Sequence, residues 1–432
     1  MKIAIAGYGV EGQENFRYWS QWPENELTIV DENGTGVPIP EGVRSLVGPG
    51  VFGQLQDFDL VIRTASLPPN KIVTNGTIWS ATNEFFAKSP APIIGVTGTK
   101  GKGTTSSMIT AILKTAGKKA WLVGNIGVPS LPVLSQVQPE DVVVYELSSF
   151  QLWDVQRSPH ISVVLPIEPE HLDVHANFEE YVNAKANIAK YQTSADICVF
   201  NPNNEYSAGI GHSNSQTRAI EYTTQQPSSV YIENGLFKQD GELICAVSAL
   251  KLKGEHNREN ACAALTVAKQ LGISNEIITT GLEQFQGLPH RLEYVRSPNG
   301  VDYYNDSFSS SPPATVAAAR AFSEPEILIV GGINRGGDFS HLATELLKQS
   351  NIREVILIGE YRQELQRIFQ EVGIQTKLTV LDATTMHEIV RYAASVAQPG
   401  EVVILSPGCA SFDMFKDFYD RGDQFRNEVK AL

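Results

Sequence analysis

Apolar residues in this chain fall mainly into short unbroken runs. Lys2–Ala6, Leu27–Val30 and Leu60–Ile62 come first. Ile93–Val96, Ala120–Val123, Val142–Tyr145, Ile161–Leu165 and Ile197–Phe200 follow, and Ile327–Val330, Val355–Ile358 and Val402–Leu405 come last. Runs of this length read as strands buried on both faces. The segments between them read as helices: one from near Thr104 to about residue 116, then Glu179–Tyr191, Ala314–Phe322, Arg362–Glu371 and His387–Ala397. Strands alternating with helices predict parallel sheets. From Val230 to Val247 the pattern changes to short alternating runs broken by Asn234-Gly235 and Asp240-Gly241. Those dipeptides favour tight hairpins, so an antiparallel flap is expected at the edge of the second sheet.

The expected fold is therefore α/β in three domains. Residues 1–89 form a Rossmann-like unit, 90–287 a central unit with a parallel sheet and the flap, and 288–432 a second Rossmann-like unit. Ala87–Pro92, with its two prolines, reads as the first linker. A length of 432 residues agrees with roughly three domains of about 150 residues each.

Composition narrows the partners. A net charge of −14 argues against nucleic acid and anionic membranes. No apolar run approaches the roughly 20 residues of a membrane span, and the N-terminus lacks the apolar region of a signal peptide. The four cysteines (Cys198, Cys245, Cys262, Cys409) lie scattered in apolar segments without metal-ligand spacing, as expected of buried thiols in a reducing cytoplasm. Small molecules are the expected partners of a cytoplasmic monomer.

The segment Gly95-Val-Thr-Gly-Thr-Lys-Gly-Lys-Gly-Thr-Thr105 combines a strand, a glycine-rich loop and a helix start. In such loops backbone N–H groups and a lysine cradle a triphosphate. Gly98, Thr99, Lys100, Gly101, Lys102 and Gly103 are the expected cradle. Two positions depart from the usual pattern. Val96 replaces a glycine, and Gly103 replaces the hydroxyl after the lysine, so Thr104 is expected to supply the metal-facing hydroxyl.

Parallel sheets bind ligands at the carboxyl ends of their strands. Glu146 ends the run Asp141–Glu146, where a carboxylate can hold Mg²⁺. His171 follows Ile161–Leu165 in a loop crowded with Glu168, Glu170, Asp173 and His175, and a neutral imidazole there can ligate a second ion. By pattern alone Lys185 is a solvated helix lysine. Gly7-Tyr-Gly-Val-Glu-Gly12, with Asp31 after the next strand, fits either a dinucleotide fingerprint or a unit binding another nucleotide such as a uridine diphosphate.

Taken together, the chain resembles the Mur ligase family. The resemblance rests on Gly98–Lys102, Gly124-Asn-Ile-Gly127, Glu146-Leu-Ser-Ser-Phe-Gln-Leu152, Glu170-His-Leu-Asp173 and His256-Asn-Arg-Glu-Asn260. It continues through Gly287-Leu-Pro-His-Arg-Leu-Glu293, Asn305-Asp-Ser307, Gly331-Gly332 and Ser406–Asp413 to Arg421-Gly422. The Glu146–Leu152 and Ser411 segments point to the branch that adds D-glutamate. The resemblance implies ATP and two Mg²⁺ ions, with Lys102 and Thr104 at the phosphates and first metal, Glu146 on the first ion and His171 on the second. Lys185 aligns with a lysine that the family carbamylates. Asn260, Arg291 and Asp306 would contact the adenine nucleotide. Gly9, Asp31, Asn125, Ser148 and His171 would meet UDP-N-acetylmuramoyl-L-alanine, and Arg335, Ser411 and Phe418 the incoming D-glutamate.

Several positions depart from the family pattern. Asn305-Asp-Ser-Phe-Ser-Ser-Ser311 replaces the usual Asn-Asp-Ser-Lys-Ala-Thr-Asn, putting Phe308 in place of a lysine and Ser310 in place of a threonine. Arg335 stands where a lysine usually meets the D-glutamate side chain. Thr64-Ala-Ser-Leu-Pro68 replaces Ser-Pro-Gly-Ile-Pro, and Glu32 and Asn33 stand where an arginine is expected. The reaction implied is amide ligation through an acyl phosphate, which three hinged domains would shield from water by closing. The alternatives are a relative adding another amino acid such as L-glutamate, a folylpolyglutamate-type ligase, a nucleotide-binding regulatory protein without turnover, and an NAD-dependent oxidoreductase built on Gly7–Gly12.

Overall fold

The computed structural model describes residues 1–33, 38–225, 229–374 and 376–432. They form two compact units, one of residues 1–249 with 259–284, the other of residues 250–258 with 285–432.

The first unit opens with β1 (Lys2–Ala6), α1 (Val10–Trp19), β2 (Glu26–Asp31), β3 (Arg44–Val47), β4 (Leu60–Arg63), β5 (Thr77–Ser80) and α2 (Ala81–Lys88). Strands β1–β5 form a first sheet, all parallel, in the order β3-β2-β1-β4-β5. The direction of winding reverses beside β1, whose end carries Gly7–Gly12. The linker expected at Ala87–Pro92 is shorter, because α2 runs to Lys88.

The same unit continues with β6 (Ile93–Thr97), α3 (Lys102–Thr115), β7 (Ala120–Gly124), α4 (Ser130–Leu134), β8 (Val142–Glu146), α5 (Ser149–Leu152), β9 (Ile161–Val164), α6 (Phe178–Lys190), β10 (Ile197–Phe200), α7 (Glu205–His212) and β11 (Arg218–Glu221). This second parallel sheet is ordered β11-β10-β9-β6-β8-β7. The central β6 is buried throughout, which explains its unbroken apolar run.

The hairpins form as expected at β12 (Val230–Glu233), β13 (Leu236–Gln239) and β14 (Glu242–Ala246), with Asn234 and Asp240 at φ 51°. They also sit where expected, at the edge strand β11. They make a three-stranded sheet of their own, joined to the end of β11 by the Tyr222–Val230 bridge and by hydrogen bonds from Ser229 N to Glu221 O (3.0 Å) and from Ile232 N to Thr224 O (3.1 Å). α8 (Glu255–Gln270) and α9 (Asn275–Gln284) follow, and α9 packs on α3 so closely that a Cβ on Gly281 would lie 3.0 Å from Ile112 Cα.

The second unit holds β15 (Glu293–Arg296), β16 (Asp302–Asn305), α10 (Pro312–Ala319), β17 (Glu326–Gly331), α11 (Phe339–Leu347), β18 (Ile352–Ile358), α12 (Arg362–Val372), β19 (Lys377–Val380), α13 (Met386–Val396), β20 (Val402–Leu405) and α14 (Phe418–Lys430). Its sheet is ordered β15-β16-β20-β17-β18-β19, parallel except for the β15–β16 edge pair. All four cysteines are buried, and none forms a disulfide among the described residues. No helix among the described residues is long and apolar enough to cross a membrane.

Candidate functional site

The phosphate-loop backbone is one that only glycine fits. Gly98 (φ 146°) and Gly101 (φ 85°) lie where side chains are strained, and a Cβ on Gly101 would sit 2.3 Å from Asn260 Oδ1. Asn260, expected at the adenine nucleotide, therefore lies against the loop. The left-handed Gly101 caps α3, which starts at Lys102 rather than Thr104, so the loop N–H groups and the helix's positive end share one point. Lys102 Nζ folds back over the loop, donating to Gly98 O (3.0 Å) and Thr99 O (2.9 Å). Thr104 is half-buried on the first turn. Thr105 is fully buried, and its hydroxyl has no partner among the described residues.

Two neighbouring strands bring acids and bases to the loop. β8 runs parallel to β6 with Glu146 opposite Val96, so the carboxylate stands beside the loop. Glu146 is 5% exposed, and its Oε1 accepts from Asn125 Nδ2 at 3.3 Å. Ser148 follows as the N-cap of α5 in a capping box with Gln151. On the other side, Thr99 ties the loop to the segment after β9. Its hydroxyl donates to Glu168 O (3.0 Å), accepts from Glu168 N (2.8 Å) and meets Tyr181 OH (3.0 Å). Lys100 pairs with Glu170; burial alone would raise that carboxyl, but Lys100 holds it below the usual range. His171 adopts φ 57°, uncommon for a residue with a side chain. It remains 46% exposed, with its ring 5.0 Å from Phe150.

Lys185 is not the solvated lysine its pattern suggested. It shares the buried face of α6 with Tyr181 and Ile188 and is 1% exposed. Its Nζ donates to Gly98 O at 2.8 Å and stands 4.6 Å from the Tyr181 ring centre. Burial, then the charge of Lys102, pushes its pKa well below the ordinary lysine value against the pull of Glu170 and Glu146. Tyr181 lies one helical turn before Lys185, a spacing that puts the two on a shared face. His175, from the same crowded loop as His171, is buried against Phe150, Trp153 and Tyr181, and its Nε2 meets Ser149 Oγ at 3.0 Å. In the first sheet, Gly9 caps α1, while Asp31 accepts from the backbone N–H groups of Tyr8 (2.8 Å) and Asn33 (3.0 Å).

In the second unit, His290 (φ 63°) and Leu292 (φ 42°) flank Arg291 in a tight turn that leaves its side chain outside. The Arg291 guanidinium lies 3.8 Å from the Phe308 ring centre, and that ring meets Phe418 edge-on at 5.1 Å. Asp306 is buried at the end of β16 and pushed up to about 6 by desolvation, although Ser406 Oγ (2.8 Å) and Leu292 N (3.1 Å) donate to it. Arg335 rests over Phe412, 4.8 Å from the ring centre. Ser411 is buried, and Phe418 starts α14. Arg421, buried and unnoticed in sequence beyond its motif, donates to Ser307 Oγ, Ser307 O and Cys409 O and so braces both segments.

Residues 96–268 match the Mur ligase middle domain, and residues 290–409 match the Mur ligase glutamate ligase domain. The UDP-N-acetylmuramoylalanine--D-glutamate ligase of Clostridium kluyveri is 38% identical over 91% of this chain and 87% of its own length. The protein of that name from Streptococcus thermophilus is 36% identical over 100% and 97%. The chain belongs to the Mur ligase family. The fold of this Mur ligase is also that of the UDP-N-acetylmuramate-alanine ligase MurC from Thermotoga maritima, with a TM-score of 0.62 at 16% identity over 100% of this chain and 99% of that one. Within the family frame, Glu146, Lys102, Lys185 and the His171 segment gather around one loop in the first unit, while Arg291, Asp306, Arg335, Ser411 and Phe418 lie on the second.

Proposed function

We propose that this Mur ligase joins D-glutamate to UDP-N-acetylmuramoyl-L-alanine at the expense of ATP, in peptidoglycan precursor synthesis. The substrate carboxylate takes the γ-phosphoryl group of ATP, releasing ADP. The amine of D-glutamate then attacks the acyl carbon, the C–O bond to phosphate breaks, and a proton is lost. The observation that carries this is the pair of lysines on one carbonyl: Lys102 and Lys185 both donate to Gly98 O, beside Glu146. The Lys102 ammonium and the N–H groups of the glycine loop offset the repulsion between a triphosphate and an incoming carboxylate.

Magnesium fits this donor set. Among the described residues no three His, Cys, Asp or Glu side chains are arranged to hold a metal ion by themselves, and Mg²⁺ in phosphoryl transfer needs only one or two protein carboxylates, completing its shell with phosphate and water. Thr104 and Glu146 would hold one ion and His171 a second, and these ions would draw charge from the phosphate oxygens. Burial lowers the Lys185 pKa, which favours the free amine that adds to CO₂ with loss of a proton. The carbamate so formed would place a carboxylate among these groups. Asn125 and Ser148 would orient the muramoyl-alanine end, and Arg335 on its Phe412 platform would receive the side-chain carboxylate of the amino acid, which arginine can clasp bidentately. We place the reaction in the cytoplasm, where ATP and nucleotide-activated precursors are supplied, and take the working unit to be a monomer.

The test is ADP release with UDP-N-acetylmuramoyl-L-alanine against a panel of D- and L-amino acids. D-Glutamate should stimulate release, and Lys102→Ala and Glu146→Ala should each lower it by on the order of 100-fold or more. Stimulation by L-glutamate alone would overturn the stereochemistry. Near-native turnover in either variant would overturn the ligase mechanism.

A further inference from the structure

Arg63 ends β4, an otherwise apolar strand, and its side chain is fully buried. A buried guanidinium must have its N–H groups matched, and these are. Nε and Nη2 clasp the Asp154 carboxylate at 2.6 and 2.5 Å, and Nη2 also donates to Phe150 O at 2.9 Å. Nη1 donates to Thr64 O (3.2 Å), Ala65 O (3.3 Å) and Leu67 O (3.2 Å). Three of these partners lie in the loop after β4, at the ligand-binding end of the first sheet. The other contacts go to α5 and the turn after it, at the same end of the second sheet. Glu11, on the first turn of α1, accepts from Ala65 N at 2.8 Å and secures the loop from its other side.

The α5 end of this link reaches the site. Phe150 follows two residues after Ser148, and its ring stacks on His175 (5.4 Å, 7° between planes) and approaches His171. One guanidinium thus joins the loop Thr64–Leu67 to the backbone that carries Ser148 and to the ring that supports His171.

We propose that Arg63 is a positioning residue. It fixes the separation between the first sheet's loop and the α5 segment, and thereby sets the muramoyl substrate's carboxylate against the γ-phosphate; this last step rests on the function proposed above. Lysine cannot replace it, because an ammonium lacks the fork that serves a carboxylate and four carbonyls together.

Arg63→Lys and Asp154→Asn, both mild changes, test the idea in the full chain. Hydrogen exchange without ligands should quicken at 64–67 and at 149–154 together in each variant. With substrates, kcat/KM for the muramoyl substrate should fall on the order of 10- to 100-fold, while ATP affinity measured by titration stays within about twofold. Native exchange rates, or an equal loss of ATP affinity and muramoyl kcat/KM, would overturn the proposal. If the unaltered protein turns over no muramoyl substrate, the proposed function fails, and the exchange measurement still decides whether Arg63 joins the two segments.

Discussion

Phe308 carries the sharpest departure from the family pattern, and its surroundings give the change a physical meaning. The ring lies under Arg291 and against Phe418, so it orients a guanidinium where the usual lysine would repel one. A cation–π contact at a partly exposed site contributes about 0.5–1 kcal/mol, or roughly a two- to fivefold change in an equilibrium. Phe308→Ala should therefore raise the KM for ATP by about that factor with little change in kcat, and Phe308→Tyr should restore it; steady-state kinetics decide. A second residue bears on stability. Glu326 is fully buried at the start of β17; Asn351 donates to one carboxyl oxygen, and burial pushes the pKa up to about 8. Between an unfolded value near 4.5 and about 8 the folded chain holds a proton that the unfolded chain has released. The stability this proton confers is complete below about pH 4.5 and is lost as pH rises through 8. Glu326→Gln should thus raise the melting temperature at pH 8.5 and have little effect at pH 5, with a gain on the order of 2 kcal/mol at the higher pH. Equal shifts at both pH values would show that ionisation is not the cause.

Among the elements, α3 states its own test. Its first turn offers two threonines with different fates, Thr104 beside the loop and Thr105 buried with an unmatched hydroxyl. Thr104→Ala should reduce Mg²⁺-dependent ATP use by about tenfold or more, whereas Thr105→Val should leave turnover intact and raise stability by about 1 kcal/mol, since it removes a polar atom without a partner. Matching losses of activity would mean that the loop register is wrong. The same element marks how far sequence reaches. Buried central strands such as β6 and β8 are legible because both faces exclude water, and Glu146 was found by standing at the end of one. Strand β3 was not found. Its four residues are all exposed on a sheet edge, so no apolar run announces it. Lys185 was read from pattern as solvated, and only the family resemblance singled it out. The stripe Tyr181, Ala184, Lys185 and Ile188 would have shown that a lysine was being buried. Arg63 stayed invisible because its partner Asp154 is 91 residues away, and no local period reports a contact of that range.

At the level of the whole molecule, each parallel sheet puts its chemistry where the winding reverses. Gly7–Gly12 and Thr64 follow β1 and β4, Gly98 follows β6 and Glu146 ends β8, and Asp306 and Ser406 follow β16 and β20. That rule made the site's location readable even where single side chains were not. The four buried cysteines have a practical consequence of another kind. Burial raises Cys198 and Cys245 to about 11 and Cys409 to about 12, so these thiols stay protonated and shielded. The native chain is therefore nearly blank to maleimide dyes. Cysteines introduced at the exposed Ser215 of the first unit and Ser340 of the second would take a donor–acceptor pair with no background to engineer away. Energy transfer between them should change when ATP and the muramoyl substrate are added together, and a constant signal would argue against movement of one unit against the other during turnover.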